Sequence, residues 1–259
     1  MFVRRQWVKR LGILLIVLGG LAGAWVVAVW QWQDPFTALY TLYRQHQVSG
    51  RYDRRAEDWE YAAPPKRQPV SVASVRTRLG EHASLYRRVT RGGEGIGRIM
   101  VPRLGLDMIL IDGTDEGSLE KGPGRDLRTY MPGQNRLVYI AGHRTTFLAP
   151  FSHIEELRPG HTITLEVAYA TIRYAVTAHR IVPADDISRL RSPRHEVVVL
   201  QACHPRFFAT QRYLIYALPR SVTFEGRTWA WRRLRTVSGG SGPGSLRALP
   251  RTASASARS

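Results

Sequence analysis

From Leu11 to Trp30 the sequence reads LGILLIVLGGLAGAWVVAVW, a run without a single charged side chain. About twenty residues at ~1.5 Å each span ~30 Å as a helix, the thickness of a bilayer's hydrocarbon core. Trp7 lies before the run and Trp30 and Trp32 lie at its far end, where amphipathic rings favour the interface. Arg4, Arg5, Lys9 and Arg10 precede it, whereas only Asp34 and Arg44 follow nearby. This asymmetry predicts residues 1–10 in the cytoplasm, a transmembrane helix over 11–32 and the remainder outside the cell. A cleaved signal peptide is the rival reading, with Ala22–Ala24 (AGA) as its cleavage site. The apolar run continues through WVVAVW, where a cleaved mature end turns polar, and so favours an uncleaved anchor.

Beyond the anchor the texture changes twice. Residues 33–92 read as an extracellular stalk. DPFTALYTLYRQHQ has a short helical pattern, RYDRRAEDWEYAAPPKRQP reads as a charged and proline-rich linker, and VRTRLGEHASLYRRV is weakly amphipathic through Val75, Leu79, Leu85, Tyr86 and Val89. From Gly93 short segments rich in β-branched and aromatic residues alternate with turns: IGRIMVP, DMILIDG, RLVYIAG, HTITLEV, TIRYAVTAHRIV, EVVVLQAC and RYLIYALP. A hairpin is expected to turn near Tyr169 and Ala170. Helical pieces are short: DEGSLEKG, PFSHIEEL and DDISRLRS, the last with Asp185 or Asp186 as its cap. The pattern predicts a mostly β fold over residues 93–222, a small and mainly antiparallel barrel or sandwich. Residues 223–259 read as a mostly disordered tail, with TWAWRRLR packing back on the β domain.

The net charge is +18, from 38 Lys+Arg against 20 Asp+Glu, and only Lys9, Lys66 and Lys121 are lysines. Such an excess invites an anionic partner such as nucleic acid, lipid headgroups or wall polymer. The arginines are spread thinly, and no dense basic block is interleaved with aromatics, which argues against nucleic acid.

Cys203 is the only cysteine. It therefore has no internal disulfide partner, although the predicted location is oxidising. Two readings stand at this point: a small apolar core residue, or a nucleophile. A nucleophilic thiol needs a proton acceptor, and histidine is the usual one. Of the eight histidines, His143 stands out because it follows the apolar strand RLVYIAG at its end, where a side chain is held rigidly yet is reachable. His204 adjoins Cys203, but neighbours on an extended strand point to opposite faces. Arg212 begins the strand after the loop from Cys203, a place from which it can oppose negative charge on a carbonyl oxygen. One thiol and scattered histidines lack the spacing of a metal site, and no glycine-rich phosphate loop follows a strand, so no cofactor is expected.

AGHRTTFLAPF followed by VVLQACHPRFFATQR resembles the sortases, most closely class E. VPRLGLDMILIDGTDEGSLEKGPG and MPGQ also resemble that class, and the likeness runs from about Gly93 to Leu218. The resemblance implies an eight-stranded β-barrel on a membrane stalk. It also implies a cysteine transpeptidase that cuts a Leu-Pro-x-Thr-Gly or Leu-Ala-x-Thr-Gly sorting signal and joins the secreted protein to a cell-wall precursor amine. Cys203 becomes the nucleophile, His143 the general acid/base and Arg212 the oxyanion stabiliser. Two departures mark the sequence. Val199 and Ala202 replace the threonines usual before the nucleophile, so Ala202 is a candidate substrate contact. The tyrosine usual after GPG is absent; Asp126 stands near that place and Tyr130 four residues on, and these are the other candidate contacts. The missing threonines motivate an alternative, a non-catalytic barrel that binds peptide or wall polymer. A hydrolytic cysteine peptidase on the same scaffold is a third reading.

Overall fold

The computed structural model describes residues 2–32, 35–62 and 72–235. Three helices come first: α1 (Phe2–Trp32), α2 (Pro35–Ala62) and α3 (Val72–Val89). Within α1, Lys9–Val26 is long and apolar enough to cross a membrane, and none of it is buried against the rest of the chain.

The β domain then runs β1 (Gly95–Val101), β2 (Leu106–Asp112), a short α4 (Glu116–Leu119), β3 (Gly124–Arg125), β4 (Leu137–Ala141), β5 (Thr162–Val167), β6 (Ala170–Pro183), β7 (Val197–His204) and β8 (Gln211–Phe224). Neighbours follow the order β6-β5-β1-β2-β3-β4-β7-β8, and β8 pairs back to β6. The sheet is thus a closed eight-stranded barrel, with β2–β3 and β4–β7 parallel and the other pairs antiparallel. Closure leaves no long unpaired edge to recruit another chain. Each of the seven expected strands is present. The expected hairpin joins β5 to β6 through Ala168 and Tyr169, with Val167 opposite Ala170.

Period-two alternation sorts the side chains into two layers. Val138 and Ile140 of β4, Val198, Leu200 and Ala202 of β7, and Ile215 and Ala217 of β8 fill the barrel interior. The alternate residues Leu137, Tyr139, Val197, Val199 and Leu214 form a second cluster outside it, with Leu190 packed on top. Leu190 belongs to a 3-10 turn, Ile187–Leu190, capped as expected by Asp186, whose Oδ1 accepts from the Ser188 N–H at 2.9 Å.

Three parts differ from the sequence reading. First, the charged stretch read as linker is helical to Ala62 and docks on the barrel. Its stripe Val48, Tyr52 and Ala56, spaced every four residues, meets Ile109 and Ile111 of β2. Charged neighbours hid that stripe. Gln45 adds bonds to the Ile109 N–H (2.7 Å) and to the Lys121 carbonyl (2.6 Å), and Arg55 pairs with Glu94 at 2.7 Å. Gly95 permits the approach, since a Cβ there would lie 2.8 Å from Val48 and from Ile109. The PPKRQP part of the expected linker lies outside the described residues. Second, β3 is too short to leave a periodic signal. It is anchored instead by a buried ion pair, Arg125 Nη2 to Asp112 Oδ1 at 2.5 Å. Third, the folded domain does not end at residue 222. β8 continues to Phe224, then β9 (Arg227–Ala230) pairs on it and α5 (Trp231–Arg235) follows. Leu234 is buried, and Trp229 and Trp231 pack on the core as expected for TWAWRRLR. Residues 236–259 lie outside the described residues.

The docking of α2 is testable. Tyr52→Ala removes a buried ring and is expected to cost about 2–4 kcal/mol, read as a lower urea midpoint of the full chain. An unchanged midpoint would show that α2 does not pack on β2.

Candidate functional site

Strand register assembles the site. In the parallel β4–β7 pair Ala141 lies opposite Gln201, and the Gly142 N–H continues the ladder to the Gln201 carbonyl at 3.0 Å. Two residues past that pair on each chain stand His143 and Cys203. In the antiparallel β7–β8 pair Cys203 lies opposite Arg212. Cys203 and Arg212 continue the outward-facing series Val197, Val199, Gln201 and Leu214, Tyr216. Cys203 is a free thiol on a partly exposed residue. It is not an interior filler; Ala202, beside it, is.

His143 is held by the loop that follows β4. The Phe151 N–H donates to the His143 carbonyl at 3.1 Å, and the ring lies 5.0 Å from that of Phe147. Gly142 admits Phe151, which would lie 2.6 Å from a Cβ there. Phe147, Leu148 and Ala149 all have positive φ (52°, 60° and 38°), a backbone that L residues adopt only under outside constraint. One constraint comes from α2: Thr37 Oγ1 accepts from the Phe147 N–H at 3.1 Å, and Tyr40 packs edge-on to the Phe147 ring. Burial lowers the His143 pKa from its ordinary value, while Glu120 and Glu116 pull it partly back. The imidazole is therefore neutral at pH 7 and able to accept a proton. Its buried Nε2 has no hydrogen-bond partner within the protein.

Arg212 Nη1 donates to the carbonyls of Ala209 (2.6 Å) and Gln211 (2.9 Å). These bonds fix the guanidinium plane at the rim and leave Nε and Nη2 as donors for something else. The loops that flank the row carry exposed apolar side chains, Ile187 on one and Phe207 and Phe208 on the other.

The Sortase domain family model matches residues 99–220. Sortase D of Bacillus subtilis (strain 168) is 30% identical over 158 residues, covering 60% of this chain and 77% of that protein. The chain belongs to the sortase family. Among solved structures, the SrtF sortase from Corynebacterium diphtheriae shares the fold, at 21% identity and a TM-score of 0.50 over 52% of this chain and 90% of that one. The SrtA sortase from Actinomyces oris matches at 25% identity and a TM-score of 0.49, over 53% and 87% of the two chains.

Three further candidates from the sequence do not join the row of this sortase. Ala202 is fully buried with its methyl in the barrel interior, so it offers substrate nothing. Asp126 is buried too, and its carboxylate is taken by Arg128, through the backbone N–H (2.9 Å) and the guanidinium (2.7 Å). Its own N–H bonds the Tyr139 carbonyl, partway down β4 from His143. Tyr130 bonds the Leu137 carbonyl at the start of β4. At about 3.3 Å per residue that is roughly 20 Å from the level of His143. Position after GPG was the only signal for these two, and the β3–β4 pairing carries the chain away from the site.

Arg144 was missed. It is buried, and its Nη1 reaches the Cys203 carbonyl (3.1 Å) and His204 Nδ1 (3.0 Å) while Nη2 pairs with Glu155 (2.7 Å). Burial and this guanidinium lower the His204 pKa, so its Nδ1 accepts the bond as a neutral imidazole. Arg144 thereby staples the end of β7 to the loop bearing His143. Its only sequence signal is its place beside His143. Arg144→Ala is expected to cost about 1–3 kcal/mol, seen as a lower Tm. Arg144→Lys should recover little of it, because an ammonium lacks the fork that spans both partners. A wild-type Tm in both variants would remove the staple.

Proposed function

We propose that this chain is a membrane-anchored cysteine transpeptidase acting on secreted proteins that carry a C-terminal sorting signal. The observation that carries the reading is the row itself: His143 in the loop just past β4, with Cys203 and Arg212 opposite each other on β7 and β8, at one rim. Cys203 Sγ attacks the carbonyl carbon of the signal's threonine as neutral His143 takes the thiol proton. The oxygen, now anionic, faces the unused donors of Arg212. The carbon–nitrogen bond to glycine then breaks, and His143 hands its proton to the departing amine, leaving a thioester on Cys203. A second amine, from a cell-wall precursor, attacks that thioester, and the thiol regains its proton. No step draws on a cofactor. The exposed Phe207, Phe208 and Ile187 supply an apolar surface for the signal's leucine, and the β6–β7 loop with its Ile187–Leu190 turn flanks the bound signal. The anchor lies in α1 with the N-terminus inside, and the barrel works outside the cell.

The tyrosine usual after GPG in class E sortases is absent and neither Asp126 nor Tyr130 reaches this rim, so both Leu-Pro-x-Thr-Gly and Leu-Ala-x-Thr-Gly are reasonable signals. Incubation with these peptides should add one acyl-peptide mass to Cys203, detected by intact mass spectrometry and lost in Cys203→Ala. Arg212→Lys should slow adduct formation by about tenfold or more, since only a planar fork can hold its two carbonyl partners and the oxyanion together. No adduct with either peptide, under conditions where another sortase reacts, would remove catalysis on these signals. An unchanged rate in Arg212→Lys would remove Arg212 from the mechanism.

A further inference from the structure

At the end of the barrel away from Cys203, α3 and the loop 131–136 enclose a groove. It consists of two adjoining cavities of about 570 and 440 Å³ that share Thr77, Gly80, Gln134 and Arg136. The groove is built into the fold. Gln134 Nε2 donates to Ser84 Oγ of α3 at 2.9 Å, and the Met131 N–H donates to Gln134 Oε1 at 2.7 Å. The Gly133 N–H donates to the buried carboxylate of Glu196 at 2.8 Å. These bonds hold both walls in place without a ligand.

The lining is lopsided in charge. Arg76, Arg88, Arg136 and Arg194 face a single carboxylate, Glu81, and the remaining polar side chains are the neutral Thr77, Ser84, Tyr130, Gln134 and Asn135. Among the described residues, Arg88, Arg136 and Arg194 form no ion pair. Arginines gathered in a preformed concavity differ from a composition bias spread over a surface, because low-dielectric walls focus their field. Tyr130, at the edge of the groove, has the guanidinium of Arg87 5.6 Å and that of Arg136 5.9 Å from its ring centre. Its face is therefore occupied by cations and is not open as a stacking platform for a base.

We propose that this groove binds an extended polyol phosphodiester chain. The positive charges attract the phosphates of such a chain, and the neutral donors and acceptors between them match hydroxyl groups of the spacer. From Ala73 to Arg88 the helical wall runs roughly 22 Å, long enough for several repeats and too long for one headgroup. Topology separates the groove from the anchor as well. α2 meets the His143 loop through Thr37 and Tyr40 near its start, and meets His82 and Tyr86 of α3 through Trp59 near its end. The groove thus lies at the end of α2 farther from α1, which favours a soluble chain over lipid headgroups at the bilayer. The assignment does not involve Cys203 chemistry.

The full chain in nanodiscs of zwitterionic lipid can be titrated with a labelled glycerol-phosphate oligomer and followed by fluorescence anisotropy. The expected result is saturable binding that weakens with salt. The triple variant R88Q/R136Q/R194Q should lose about tenfold or more in affinity, and R88K/R136K/R194K should keep most of it. R173Q/R220Q/R227Q, exposed arginines away from the groove, should change it less than about twofold. The proposal is overturned if the wild type does not bind, if both glutamine triples lose equally, or if the lysine triple loses as much as the glutamine one. It is equally overturned if free glycerophosphoglycerol competes as well per phosphate, which would make it a headgroup site, or if single-stranded DNA of equal phosphate number binds more tightly.

Discussion

Parallel pairing of β4 with β7 fixes everything that the site can do. It brings the end of one strand level with the end of another that is distant in sequence, and antiparallel β7–β8 then adds Arg212 to the same level. A shift of one residue in either pair would turn the sulfur inward, where Ala202 now packs, and the imidazole and guanidinium would face a methyl group. The interior cluster prevents that slip, since Val198, Leu200 and Ala202 fit only in this register. Apolar packing inside the barrel therefore sets the chemistry on its outside.

The two ends of the barrel differ in how they hold their side chains. At the Cys203 end the backbone is constrained and the polar side chains are staples: Arg144 across β7, Thr37 from α2, Arg212 on its own loop carbonyls. At the far end, buried groups such as Glu196 brace a loop and leave several guanidiniums turned to an open groove. α2 runs beside both ends, so the segment after α1 is part of the folded domain and not a tether hanging from it. The contact between α2 and the His143 loop also couples the placement of α2 to that of the imidazole.

The sequence exposed the elements with a local signal. β1, β2 and β4 to β8 carry β-branched runs bounded by turns, and Cys203, His143 and Arg212 sit where such runs begin or end. What stayed hidden depends on partners distant in the chain. The stripe of Val48, Tyr52 and Ala56 becomes apolar surface only when β2 lies beneath it. β3 exists because Arg125 finds Asp112, and Arg144 is one arginine among many until Cys203 and Glu155 close around it. Asp126 and Tyr130 show the converse: a position relative to GPG says little about level along a barrel, and their backbone bonds to Tyr139 and Leu137 place them below the rim.

The proposed function requires His143 from the loop after β4, Cys203 of β7 and Arg212 of β8 to converge on one carbonyl. A crystal structure of the full chain with a threonine-mimetic peptide trapped on Cys203 tests it most directly. The trapped oxygen is expected within hydrogen-bond distance of Arg212 Nε or Nη2, with the His143 ring on the side from which the amine leaves. An oxygen directed away from Arg212, or an imidazole outside reach of the leaving-group position, would contradict it.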